Sequence, residues 1–252
     1  MPTDAPKPPS APSQAASVVA SQAEERPAAP GDAPPSTPAP GRDLRRKFID
    51  ASLALVTERG VEGLTLRDLA KRVGVTHPAV YRYFPDKAAL LASVAEEGFW
   101  EMRSAVIRAC APYPDTRSRF NKLVDAYVRF AVEHPAHFRL MFGPEAAEKW
   151  SVPSLRAAET ATFNLCLDAV IEGQRDGLVR QGEAREIALA GWAMMHGLAS
   201  LVLNGLVNWV GVQSTSPEYL ASVLETAFFT GVGPGAPFPS THQPDGPPYG
   251  SL

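Results

Sequence analysis

The sequence predicts an all-α protein with a small N-terminal helix-turn-helix unit and a larger helical body. Apolar residues recur at steps of three and four through successive segments from about residue 42 to residue 231. Glycines and prolines fall at the ends of those segments, where they stop or start helices. The stretch Thr65–Lys87 reads as two short helices joined by a tight turn.

Residues 1–41 are expected to lack a fixed fold. Eleven prolines and ten alanines make up over half of them, too little apolar surface to offset the entropy of ordering. There is no apolar core of the kind a secretory signal needs and no basic start. An inert tail is the favoured reading over an arm that adds contacts to DNA or protein. Residues 42–90 form the helix-turn-helix unit, 91–231 the body, and 232–252 a second Pro/Gly-rich tail.

The first helix carries Leu44, Phe48, Ala51, Leu55 and Val56 on one face and stops at Gly60. Arg42, Arg45, Arg46 and Lys47 crowd its start. In the next helix Leu66, Leu69, Ala70 and Val73 share a face. Thr65 is a good N-cap there, and Asp68 three residues on completes something close to a capping box. Gly74 stops it, since glycine takes a left-handed backbone without steric cost. Thr76 caps the following helix, whose first turn holds Pro78. Val75, Val80 and Phe84 can face inward, while His77, Ala79, Tyr81, Arg82 and Tyr83 lie on the other surface. Pro85 ends the helix, and Asp86 can cap another beginning at Lys87.

That outer surface is rich in donors and aromatic hydroxyls, with Arg67, Lys71, Arg72 and Lys87 around it. Such groups contact phosphates or base edges. An ordinary solvated face on a helical bundle is the competing reading. From Arg42 to Lys87 there are ten Lys/Arg and six Asp/Glu, whereas the whole chain carries −3. A mildly basic head therefore sits on an acidic body.

In the body, Leu90, Leu91, Val94, Phe99, Met102 and Val106 tie the head to the rest. Phe120, Leu123, Val124, Tyr127, Val128 and Ala131 mark a helix ending at His134-Pro135. Phe138, Leu140, Met141 and Phe142 form a short apolar piece, and Leu155 to Val170 another long helix stopping at Gly177. His134 and His137 are three apart, but Pro135 between them argues against a metal site, and no metal or cofactor is expected. Cys110 and Cys166 lie far apart without a partner motif, which suits a reducing, cytoplasmic compartment.

From Ile187 to Gln213 there is no Asp, Glu, Lys or Arg. The length would span a bilayer. His196, Asn204 and Asn208 inside the run and the lack of a flanking basic cluster argue against a membrane. A helix apolar on all sides must be covered on all sides. Helices over Glu183–Val210 and Pro217–Thr230 are expected, the second carrying Leu220, Val223, Leu224, Ala227 and Phe228.

Gly60, Thr65, Leu69-Ala70, Gly74-Val75-Thr76, Val80-Tyr81, Tyr83-Phe84, Lys87 and Leu90-Leu91 resemble the DNA-binding region of TetR-type transcriptional regulators, without a gap from near Leu44 to near Val94. Tyr83 stands where the family often has histidine. Trp192–Gly197 resembles, more weakly, the Trp-x-x-x-His-Gly element of one group of TetR-type C-terminal domains.

The resemblance implies a homodimer that reads a double-stranded DNA operator and answers to an unknown small-molecule effector. His77, Pro78 and Ala79 would meet base edges. Thr76, Tyr81, Arg82, Tyr83 and Lys87 would hold phosphates, with Arg67 reaching base or backbone and Arg46 among the basic groups near the DNA backbone. An apolar effector cavity would draw on Phe130, Phe138, Met141, Phe142, Phe163, Trp192, Met195 and His196. For each of these singly, core packing competes with a cavity wall. The two C-terminal helices would pair with a second subunit through Gly197, Leu201, Leu220, Leu224 and Phe228. A repressor is favoured over an activator. An adaptor without a reading head is the remaining alternative, and no nucleophile–base pair, metal cluster or phosphate loop points to an enzyme.

Overall fold

The computed structural model describes residues 40–143, 152–211 and 214–232. Among them the chain forms nine α-helices and no strand. These are α1 (Pro40–Arg59), α2 (Leu66–Val73), α3 (His77–Tyr81), α4 (Lys87–Cys110), α5 (Thr116–Glu133), α6 (Pro135–Phe142), α7 (Pro153–Arg175), α8 (Ala184–Leu203) and α9 (Pro217–Val232). A 3-10 turn, Leu206–Trp209, follows α8. The tails expected at 1–41 and 232–252 lie outside the described residues, save Pro40 and Gly41, which open α1, and Val232, which closes α9.

The head forms because its end signals are local and consistent. The Thr65 hydroxyl accepts from the Asp68 amide at 3.0 Å and donates to the Asp68 carboxylate at 2.8 Å, so the two residues cap α2 together. Gly74 ends α2 at φ 76°, a backbone that costs any other residue. Asp86 caps α4 by accepting from the Ala89 amide at 2.7 Å. Arg72 holds Glu58 through two hydrogen bonds of 2.8 and 2.6 Å, pinning α2 to α1.

Phe48, Leu55, Leu69, Val80, Phe84 and Leu90 are sealed from solvent in the head core. Each such side chain contributes about 1.5–3 kcal/mol of burial. Phe48 meets Phe84 edge-on at 6.0 Å and leans on Tyr83 at 5.4 Å. Ala136 and Leu140 of α6 belong to this same cluster, so α6 and α4 join head to body.

The body packs α5 against α4, α7, α8 and α9. Its core runs from Phe99 and Met102 through Tyr127 and Phe138 to Phe228. Helix α8 is the one described helix long and apolar enough to cross a membrane, and it packs against α5, α7 and α9. It ends earlier than expected, at Leu203 rather than Val210, because Gly205 takes φ 69° and starts the 3-10 turn.

Helix α9 corrects an expectation. Leu220, Leu224 and Phe228 are 4%, 6% and 1% exposed, so they face the chain's own core and not an outer surface. Phe228 stacks on Phe120 at 4.6 Å, and a side chain at Gly191 of α8 would meet its ring at 2.9 Å. The stripe that looked free in the sequence is used to attach α9 to α5 and α8.

Candidate nucleic-acid interface and adjoining cavity

Helix α3 is shorter than its expected span of Thr76 to Phe84. It covers His77–Tyr81, with Tyr83 and Phe84 still donating their amides to the Val80 carbonyl. Its inner side is Val80. The outer side presents His77, Pro78, Tyr81 and Arg82, all exposed. His77 and Tyr81, one turn apart, meet edge to face at 4.9 Å and form an aromatic ridge pointing away from the protein.

Thr76 takes the extended N-cap backbone but makes no capping bond with its side chain, so the exposed hydroxyl is available to another acceptor or donor. Ala79 and Tyr83 are half-buried. The Tyr83 ring leans on Phe48, so it anchors the end of α3 as well as offering a hydroxyl. Lys87 opens α4, half-buried.

Arg67, Lys71, Arg82 and Lys87 have no carboxylate within ion-pair distance among the described residues. They leave the positive charge of this surface uncompensated. Arg46 is different. Its guanidinium lies 2.9 Å from Asp50, 2.8 Å from Glu97 and 3.8 Å from Glu101, so it turns toward α4. Reaching a phosphate would require breaking those pairs, which argues against Arg46 as a backbone contact. Arg72 is likewise engaged by Glu58.

A cavity of about 590 Å³ opens in the body between α4, α5, α7 and α8. Four of the expected residues line it: Phe142, Phe163, Trp192 and Met195. Four do not. Phe138 and His196 stack at 5.3 Å just behind Phe142, which meets His196 at 4.6 Å. Phe130 sits by His134 instead, ring to ring at 4.7 Å. Met141 packs over Gly98, where an added side chain would strike its sulfur at 2.7 Å. Both are buried on the side of the body facing α4, away from the opening between α7 and α8.

The rest of the lining is Phe99, Val106, Leu123, Tyr127, Thr162, Leu165 and Cys166 within, with Glu159, Thr160, Glu183, Arg185, Glu186 and Leu189 toward solvent. Helical periodicity had set Tyr127 and Leu123 on the core face of α5. No local signal says that α7 and α8 leave a space over them.

At the inner wall Tyr127 accepts a hydrogen bond from Trp192 Nε1 at 3.3 Å and lies 3.0 Å from His196 Nδ1. Burial drives the Tyr127 phenol upward and the His196 imidazole downward, so both are neutral at pH 7. Burial also pushes the Cys166 thiol up to about 12, which removes thiolate reactivity there. Glu159 is raised by burial too, partly offset by Arg156. The cavity is thus an apolar chamber with a neutral polar cluster inside and charged groups at its mouth.

One premise about histidines is also corrected. Pro135 between His134 and His137 speaks against a metal site in the sequence, but the fold brings Glu101 of α4 to both histidines.

Comparison with known proteins points the same way as the geometry. Residues 48–94 match the family model described as bacterial regulatory proteins, tetR family. Residues 120–224 match one described as tetracyclin repressor-like, C-terminal domain. The HTH-type transcriptional activator FasR of Mycolicibacterium smegmatis is 28% identical over 151 residues, covering 59% of this chain and 67% of that one. The class A tetracycline repressor protein of transposon 1721 from Escherichia coli is 54% identical over 48 residues, 19% of this chain and 22% of that one. A solved structure of a protein of unknown function from Rhodococcus sp. RHA1 superimposes with a TM-score of 0.67 at 32% identity, over 75% of this chain and 95% of that one.

Proposed function

The chain belongs to the TetR family of DNA-binding transcriptional regulators, and from that premise we propose a homodimeric repressor that a small apolar effector releases from a near-palindromic operator. The observation that carries the release mechanism is the double role of α6. Ala136 and Leu140 of this helix sit in the head core, while Phe142 lines the cavity and Phe138 backs it. A molecule pressing on Phe142 therefore acts on a helix that the head is packed against. It moves the head only as far as its affinity differs between the two arrangements.

In this proposal His77 hydrogen-bonds a base edge, and Pro78 and Ala79 make apolar contact, for instance with a thymine methyl. Thr76, Tyr81, Arg82, Tyr83 and Lys87 hold phosphates, with Arg67 beside them. Two heads would occupy successive major-groove faces about 34–36 Å apart.

The second subunit would cover the outer stripe of α8. Ala190, Ala193, Met194, Gly197 and Leu201 are solvent-facing or nearly so there, at helical spacing, with Val223 and Ala227 of α9 beside them. Small residues allow close helix approach, and an apolar stripe of this length asks for cover. Of the five residues expected at this interface, Gly197 and Leu201 are retained in the proposal.

The cavity volume fits a drug-sized, mainly apolar molecule. Sedimentation of the free protein, together with fluorescence anisotropy of bound duplex during titration with small apolar compounds, tests the scheme. A dimer that loses DNA as the cavity fills supports it. A monomer on DNA, or a filled cavity with unchanged DNA affinity, overturns it. The likeness to FasR, named an activator, favours one second reading, an activator of the same fold. Transcription in vitro from a promoter carrying the bound site separates the two by the sign of the change.

A further inference from the structure

At the seam between head and body, three potential metal ligands from three parts of the chain converge. Glu101 belongs to α4, His134 follows the end of α5, and His137 belongs to α6. One ligand atom from each lies within 4.8 Å of the other two. His137 is only 5% exposed. Its Nε2 is buried without a hydrogen-bond partner among the described residues. Its Nδ1 stands 3.9 Å from Glu101 Oε2, beyond hydrogen-bond reach. A buried imidazole nitrogen left without a partner is uncommon, because burial without a partner is costly.

We propose that Glu101, His134 and His137 form a binding site for a zinc-type divalent transition ion. Two imidazoles and one carboxylate suit Zn(II), Co(II) or Ni(II), whereas Mg(II) and Ca(II) prefer oxygen alone. Ligand atoms around tetrahedral zinc sit about 3.3 Å apart, given bonds of about 2.0–2.2 Å. The 3.9 Å pair therefore needs a closure of about half an ångström, and the widest separation in the trio, within 4.8 Å, a closure of up to about 1.5 Å. Glu101 and His134 both line a polar groove of about 620 Å³ along α4, which provides an entry path. That groove carries as many arginines (Arg45, Arg46, Arg108) as glutamates (Glu96, Glu97, Glu101). Selectivity for the ion thus comes from the imidazoles, not from net charge.

The site also has a route to the head. The two oxygens of Glu101 are divided: Oε1 lies 3.8 Å from Arg46 of α1, and Oε2 faces His137 of α6. An ion that draws the carboxylate toward the imidazoles loosens its hold on Arg46. The ion would thereby shift how α1 and the head sit on α4 and change DNA affinity. This coupling rests on the proposed DNA-binding function; the ion site does not.

The experiment titrates the full chain with Co(II), followed by visible absorption, and with Zn(II), followed by calorimetry. One ion per chain with tetrahedral Co(II) bands is expected. Glu101→Gln and His134→Ala should each weaken binding at least about tenfold, since even outer-shell partners of a metal cost that much. Neither residue is fully buried, and circular dichroism checks that both variants fold. No stoichiometric binding, or equal affinity in wild type and both variants, overturns the site. DNA affinity that shifts with Zn(II) in wild type and not in His134→Ala supports the coupling; an ion bound at the site that leaves DNA affinity unmoved overturns it.

Discussion

The hydroxyl of Tyr127 on α5 stands 3.0 Å from Nδ1 of His196 on α8. Trp192 Nε1, also on α8, donates to the same oxygen at 3.3 Å. An indole nitrogen can only donate, so the Tyr127 oxygen accepts from Trp192, and the phenol keeps its own proton for the contact with His196 or for another acceptor. This cluster ties the wall of the cavity together.

Replacing Tyr127 with phenylalanine keeps the ring and removes the oxygen. It leaves the Trp192 N–H and His196 Nδ1 without that partner. The expected loss is about 1–3 kcal/mol of unfolding free energy, read from urea denaturation. A variant as stable as wild type would show that the cluster contributes nothing net.

His196 also makes stability depend on pH. Burial holds its folded pKa below the ordinary value. The unfolded chain takes up a proton near about 6.5 that the folded chain resists. The contribution is therefore whole above that pH and is lost as pH falls toward the folded value. Wild type should lose more Tm between about pH 7.5 and 5.5 than His196→Asn does. Parallel curves would remove His196 as the source.

Lys87 and Arg46 make a contrasting pair. Lys87 has no carboxylate partner among the described residues, whereas Arg46 is held by Asp50 and Glu97. Lys87→Ala should weaken binding to all duplexes alike and lower the salt slope by about one. Arg46→Ala should leave that slope unchanged. The opposite outcome would put Arg46 on the DNA.

Gly197 tests the proposed dimer without disturbing the subunit. A side chain built there meets nothing within 4 Å. Gly197→Glu should therefore fold and sediment as a monomer, because an unpaired charge would be buried in the contact. A charged variant that stays dimeric places the interface elsewhere.

Local signals carried most of what the sequence revealed. Thr65, Gly74 and Asp86 end or start helices by contacts within three or four residues, and each does so in the structure. Periodicity told which residues share a face but not what covers that face. Leu220, Leu224 and Phe228 were grouped rightly and assigned to the wrong neighbour, since α5 and α8 of the same chain reach them first. Arg46 looked free because Glu97 lies beyond the end of the head in sequence yet 2.8 Å away in space. The meeting of Glu101 with His134 and His137, and the space above Tyr127, depend on how α4 to α8 pack. Neither has a signature within a single helix.

The central claim is that the outward face of α3, led by His77, reads base edges. Selection of bound fragments from random duplex DNA, run on wild type and His77→Ala, tests it most directly. The account predicts a near-palindromic consensus for wild type, and for the variant a loss of discrimination worth about 1–3 kcal/mol at one base position per half-site. An unenriched pool, or the same consensus from both proteins, would contradict it.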